Sequence, residues 1–246
     1  MSGHSHWATI RRKKEAADAK KGKVFSKLAR AIMSAARQGG GDPEVNVRLK
    51  ALMDEARASR MPRDNIERAI KKGTGELAGE QLDEIVYEGY APGGVAMLIE
   101  VLTDNRNRTA AEVRKLMDVY GGTMDGSTAW VFEPKGLITV LRENAEEDKL
   151  FEIAVEAGAE DMESVGEAFQ ITCQVGDFES VKKALEEAEI PCESAQIAQI
   201  PKTNVPLDEA QGRKVLKLMD ALDDHDDIQN VYANFDLPES LLVAES

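Results

Sequence analysis

The spacing of hydrophobic positions changes near residue 80 and divides the chain in two. Within 23–37, Phe25, Leu28, Ile32 and Ala36 recur at helical spacing and form one apolar stripe. Lys23, Lys27, Arg30, Ser34 and Arg37 recur with the same period on another face. Gly39-Gly40-Gly41 predicts the stop of that helix, because glycine accepts the left-handed backbone of a helix end. Asp42-Pro43 then predicts a new start, an N-cap acceptor followed by proline at the first helical position. That second helix should bury Val45, Leu49, Leu52, Met53 and Ala56. A third is expected from Asp64, with Glu67 completing a capping box and Ile66, Ala69 and Ile70 facing inward.

From residue 83 short β runs alternate with helices. Strands are predicted over 84–90 and 95–103, joined by the turn Ala91-Pro92-Gly93-Gly94. A helix over 109–120, capped by Thr109 and Glu112, and a strand over 128–132 follow. Next come strand 137–141, helix 146–157, strands near 161–165 and over 169–173, helix 178–189 and strand 194–200. This β-α-β-β-α-β order is ferredoxin-like. After Pro201 and Pro206, helix 207–222 and strand 228–235 close the chain, and with the elements before the insert they form a second, interrupted ferredoxin-like domain. The expected fold is α+β with three domains: an all-α domain over 1–80, a discontinuous domain over 81–134 and 204–240, and an inserted domain over 135–203. The residues from 239 on are expected to fray.

Composition changes this picture mainly through charge. The net charge of −14 speaks against a polyanionic partner until it is divided. Residues 1–72 hold 18 Lys and Arg against 8 Asp and Glu, a net +10, while the other 174 residues hold 13 against 37, a net −24. A basic binding element on an acidic, solubilising body has this composition. A hydrophobic fraction of 42% supports packed cores, and no apolar run approaches the roughly 18 residues of a membrane span. The N-terminus has no apolar signal core, so a cytoplasmic protein is expected. Cys173 and Cys192 lack metal-ligand or disulfide-framework spacing and are expected to be small packed hydrophobes.

Arg11, Arg12, Lys13, Lys14, Lys20, Lys21, Lys23, Lys27, Arg30 and Arg37 form the leading nucleic-acid-binding candidate, with Glu15 and Asp18 the nearby acids. Arg106 and Arg108 form a second candidate where a strand meets a helix N-terminus, whose free N–H groups attract anions. There the alternative is capping by Thr109 with both arginines paired to local acids. His4, His6 and the run Asp223-Asp224-His225-Asp226-Asp227 lack the spacing of a metal site, and the acidic run reads as a solvated connection. No P-loop, Gly-x-Ser-x-Gly elbow or Gly-x-Gly-x-x-Gly after a strand occurs, so no cofactor, metal or catalytic residue is expected.

Gly3-His4-Ser5, Trp7, Asp18-Ala19-Lys20-x-Gly22-Lys23-x-Phe25, Gly39-Gly40-Gly41-Asp42-Pro43, Tyr87-Glu88-Gly89-Tyr90-x-Pro92-Gly93-Gly94, Asp104-Asn105-Arg106-Asn107-Arg108-Thr109 and Asp226-Asp227-x-Gln229-x-Val231-Tyr232 together resemble the YebC/PmpR family over essentially the whole chain. Two features depart from the family: His6 stands where lysine is usual, and the loop 121–126 is shorter. The resemblance implies a helical N-terminal domain and two α/β domains around a cleft, and a non-enzymatic DNA-binding regulator of transcription. Related members act in translation, as a mitochondrial activator of a cytochrome oxidase subunit or as ribosome-associated factors easing synthesis of proline-rich stretches. The expected partner is DNA, or ribosomal or transfer RNA on the ribosome, bound by a monomer. The chain starts directly on the motif, so a bacterial member is expected rather than a mitochondrial one. On the residues alone, the lack of a base-reading helix favours backbone recognition, as a translation factor on RNA would need.

Overall fold

Helix α1 (Asp18–Gly39) forms on the apolar stripe and buries Leu28, Ile32, Ala35 and Ala36. They pack on Leu49 and Ala56 of α2 (Val47–Ala58) and on Ile66 and Ala69 of α3 (Arg63–Thr74). The computed structural model describes residues 18–79, 81–238 and 240–241, with side chains from residue 22 onward. Gly40, at φ +85°, ends α1 as expected.

The next two helices start differently from the sequence expectation. Asp42 makes a turn instead of a cap: its Oδ1 accepts from the Glu44 N–H at 3.0 Å and its carbonyl from the Asn46 N–H at 3.0 Å. Asn46 caps α2, its Oδ1 accepting from the Leu49 N–H at 3.1 Å, while Nδ2 donates to the carbonyls of Ala35 (2.9 Å) and Gly40 (2.8 Å). Val45 therefore precedes the helix and is 75% exposed rather than buried. At α3 the capping box is replaced by an Arg63–Glu67 ion pair at 2.8 Å, and Pro62 holds the N-cap position.

These helices belong to a compact unit that takes the described residues up to Ser127 together with Arg213–Val231. Strands β1 (Asp83–Ala91) and β2 (Val95–Thr103) pair antiparallel from Asp83↔Thr103 to Ala91↔Val95. Helix α4 (Arg106–Val119) follows with Asn105 as N-cap, displacing Thr109 from that role. The expected strand over 128–132 does not form. A 3-10 turn (Ala129–Val131) delivers Phe132 directly into β3 (Phe132–Leu141), and β1 instead meets an isolated bridge, Tyr90↔Thr123.

The second unit takes Thr128–Gly212 and the described residues from 232 on. Between β3 and β6 (Ser194–Pro201) in sequence lie α5 (Glu147–Glu156), β4 (Ala159–Val165), β5 (Ala168–Cys173) and α6 (Phe178–Glu187). The sheet order is β4-β5-β3-β6 with antiparallel neighbours, the arrangement the inserted ferredoxin-like pattern predicts. Ile138, Val140, Phe169 and Ile171 meet Leu150, Val181 and Leu185 in its core. Cys173 lies in that core, Cys192 packs against it, and both are free thiols. Strand β7 (Val205–Pro206) precedes helix α7 (Glu209–Asp223), strand β8 (Ile228–Ala233) and β9 (Phe235–Asp236), and β7 pairs parallel with β9. The first unit's sheet runs β1-β2-β8, with three strands where the interrupted ferredoxin-like reading expects four. Among the described residues no helix is long and apolar enough to cross a membrane.

Candidate nucleic-acid interface

From Lys23 to Arg30 the cationic face of α1 meets the protein's own acids. Lys23 Nζ donates to the Asp224 carboxylate at 3.1 Å and to its carbonyl at 3.0 Å. One turn on, Lys27 Nζ donates to the Asp223 carbonyl at 2.7 Å and carboxylate at 3.1 Å. Arg30 pairs with Asp227 and reaches the Asp226 carbonyl at 3.3 Å. Ser34 Oγ donates to Glu84 Oε1 at 2.7 Å, and Arg48 joins the same carboxylate at 2.8 Å. Burial pushes the Glu84 carboxyl up, but Arg48 and Ser34 outweigh it and hold it below its ordinary value. Helix α1 therefore has two packed faces, one apolar and one charged.

Asp227 is the hub of this network and is 2% exposed. Its Oδ2 lies 2.7 Å from Thr109 Oγ1, 3.1 Å from Thr103 Oγ1 and 2.7 Å from Arg108 Nη2, while Oδ1 takes Arg30. Burial opposes the charge on this carboxylate. The bonds from Thr109, Arg108 and Arg30 prevail and hold its pKa far below the carboxylate range. The Asp227 N–H donates to His225 Nδ1 at 3.1 Å, which leaves Nε2 to carry the imidazole proton toward Glu112 at 2.9 Å. The run 223–227 is thus an ion-pairing element, which corrects its reading as a solvated connection.

Of the remaining candidates, Arg11, Arg12, Lys13 and Lys14 lie outside the described residues. Lys20 and Lys21 fall on α1, with side chains outside them. Arg37 is exposed at the end of α1. Arg106 pairs with Asp83 at 2.7 Å, and Arg108 pairs with Asp104 at 2.8 Å besides Asp227. Both arginines at the start of α4 therefore pair with the protein's own carboxylates, as the alternative expected, but Asn105 and not Thr109 is the cap and Asp227 is a distant acid rather than a local one.

Glu112, His225 and Asp227 bring three possible metal-ligand atoms within 4.8 Å of one another. A cation there would face the guanidinium groups of Arg30 and Arg108, already bonded to Asp227. The donor set fits a charge network better than a metal centre.

Residues 5–76 match the TACO1/YebC protein N-terminal domain, and residues 82–235 match the TACO1/YebC second and third domain. The chain belongs to the TACO1/YebC family. It is 55% identical over 239 residues to a protein of Geobacter sulfurreducens named "Probable transcriptional regulatory protein", covering 96% of each chain. A protein of Desulforapulum autotrophicum with the same designation is 51% identical and 98% covered on both sides. A crystal structure of a conserved hypothetical protein from Aquifex aeolicus superposes with a TM-score of 0.84 at 47% identity, covering 90% of this chain and 92% of that one. Within this TACO1/YebC chain, Asp223, Asp224 and Asp227 are functional candidates that local composition concealed. Their partners on α1 lie 196, 201 and 197 residues away, and four acids in five positions otherwise signal solvent.

Proposed function

We propose that the chain is a non-enzymatic, cytoplasmic, nucleic-acid-binding regulator of gene expression that docks through its helical N-terminal region. The observation that carries this reading is the division of charge, +10 on residues 1–72 against −24 on the rest. The designation of the relatives as transcriptional regulatory proteins points to DNA. In the described helical region, the exposed cations Arg37, Lys50, Arg60, Arg68, Lys71 and Lys72 add to Lys23, Lys27 and Arg30 of α1. Under this reading Arg106 and Arg108 hold the scaffold together.

A translation role on ribosomal or transfer RNA is the second reading, and one observation favours it. The Asn and Gln side chains of the described helical region are Gln38, Asn46 and Asn65. Asn46 is committed to its cap and Gln38 accepts from Arg48 at 2.9 Å. Few amide side chains remain to read adenine edges, which favours recognition of backbone and shape over sequence readout.

Crosslinking in cells followed by sequencing of the bound nucleic acid separates the two. Promoter DNA without ribosomal RNA supports transcription; ribosomal or transfer RNA supports translation; neither overturns the proposal. In vitro, Lys23→Gln/Lys27→Gln should weaken binding and reduce the slope of log K against log salt. The reduction is about 0.9 per lost phosphate contact on duplex DNA and about 0.7 on a single strand. Arg30 is left intact in this test, because its removal would also strip Asp227 of a partner.

A further inference from the structure

We infer that the segment 223–227, from the last residue of α7 through the turn before β8, is an intramolecular competitor for nucleic acid, an acidic strap lying where a phosphate backbone would meet α1. The inference rests on the nucleic-acid reading above. Lys23 and Lys27 are one helical turn apart, about 6 Å along the axis, a spacing that suits successive negative groups of a polyanion. Each ammonium is held by a carboxylate and a carbonyl oxygen of Asp223 or Asp224, at 2.7–3.1 Å. The pairs are graded in accessibility. The side chains of Lys23 and Asp224 are 46% and 63% exposed, those of Lys27 and Asp223 only 13% and 17%, and that of Asp227 just 3%. The strap is therefore held on both sides, at Asp227 and at Asp223, the last residue of α7, and is open between them at Asp224, where displacement starts.

An exposed lysine–aspartate pair is weak and salt-screened, whereas a polyanion gains by releasing its counterions to each cation it meets. Nucleic acid can thus displace Asp224 from Lys23 first, and the largely buried Lys27–Asp223 pair yields only to a polyanion long enough to hold both lysines, while Arg30 and Asp227 stay joined. The consequence is a threshold: weak or short polyanions do not open the row, and extended ones do.

The test uses the full chain with Asp223→Asn/Asp224→Asn, which keeps the shape of both side chains and leaves Asp227 untouched. Its probes are a fluorescent mixed-sequence duplex DNA and a mixed-sequence single-stranded RNA, titrated at low salt. The expected result is binding about threefold to tenfold tighter than wild type, with a steeper salt dependence. A charge-matched control, Asp118→Asn/Glu179→Gln, removes two exposed acids elsewhere and should change affinity less than about twofold. Adding Lys23→Gln/Lys27→Gln to the strap variant should erase the gain. No gain from the strap variant, or an equal gain from the control, overturns the inference. If in that case Lys23→Gln/Lys27→Gln still weakens wild-type binding, the row remains an interface and the strap alone fails. If wild type and strap variant bind neither probe, the nucleic-acid reading fails with it. Far-UV circular dichroism checks folding, and Asp224→Asn alone, at the exposed position, gives the same answer with a smaller gain should the double variant be unstable.

Discussion

Asp227 shows how one side chain can tie distant segments together. Its carboxylate sits between Arg30 of α1, Arg108 and Thr109 of α4 and Thr103 at the end of β2. Removing the charge leaves two guanidinium groups and two hydroxyls facing a neutral amide in a buried site. Asp227→Asn should therefore destabilise the folded chain by about 3 kcal/mol at neutral pH, as when one partner of a buried ion pair is lost. The pH dependence has a definite sign. The folded carboxyl titrates far below its unfolded value, which is about 3.9, so its contribution is complete above that value and drains away as pH falls below it toward the folded value. Urea unfolding at neutral pH and near pH 3 should show a gap between wild type and Asp227→Asn that narrows on acidification. An equal gap at both would mean that packing, not charge, holds the site.

Among elements, those whose signal is local were legible in the sequence. Strand β2 runs from Val95 to Thr103 as its apolar run predicts, because it is buried along almost its whole length. The inserted β-α-β-β-α-β unit was legible for the same reason: each helix buries one stripe and each strand alternates within one core. What misled were competing local signals settled by distant contacts. Asp42-Pro43 carries a good helix start, yet Asn46 wins because its amide also satisfies the carbonyls of Ala35 on α1 and of Gly40 just past its end. Thr109 carries a capping pattern, yet its hydroxyl serves Asp227. Trp130, Val131 and Phe132 have strand propensity, but a 3-10 turn is needed to bring Phe132 into β3. The crossing of α1 and α3 gives a sharp test. A Cβ on Gly73 would stand 2.4 Å from the Met33 carbonyl oxygen and 2.8 Å from Ala36 Cβ, whereas one on Gly22 meets nothing within 4 Å. Gly73→Ala should cost about 1–3 kcal/mol by forcing the helices apart, although alanine favours helix by about 1 kcal/mol. Gly22→Ala, free of that clash, should leave the melting temperature unchanged or raised. Thermal melts of the two variants, read by circular dichroism, should move apart; a Gly73→Ala melt at the wild-type temperature would mean the crossing can widen without loss.

At the scale of the whole molecule, two opposed charges are attached to one another, and salt decides how far each is felt. The basic segment draws a polyanion in, and the acidic remainder, at −24, repels the same polyanion. At about 0.15 M salt the Debye length is near 8 Å, so a bound nucleic acid senses the cations it touches and few acids beyond them. At about 0.01 M the Debye length reaches roughly 30 Å, and much of the acidic remainder of a chain this size acts on the ligand. The strap pairs on Lys23 and Lys27 also strengthen as screening falls. Both effects oppose binding in the range where a simple cationic protein gains most. The plot of log affinity against log salt should therefore be steep near physiological salt and flatten below about 0.03 M, rather than follow the straight line of counterion release alone. Fluorescence anisotropy across that range, on the DNA or RNA the protein binds more tightly, measures the curve. Asp223→Asn/Asp224→Asn should restore part of the lost slope at low salt, the part due to the strap. The curvature that remains belongs to the acidic remainder, and a wild-type plot that stays straight to the lowest salt would remove both the strap and the acidic remainder from the account of how this chain selects its partner.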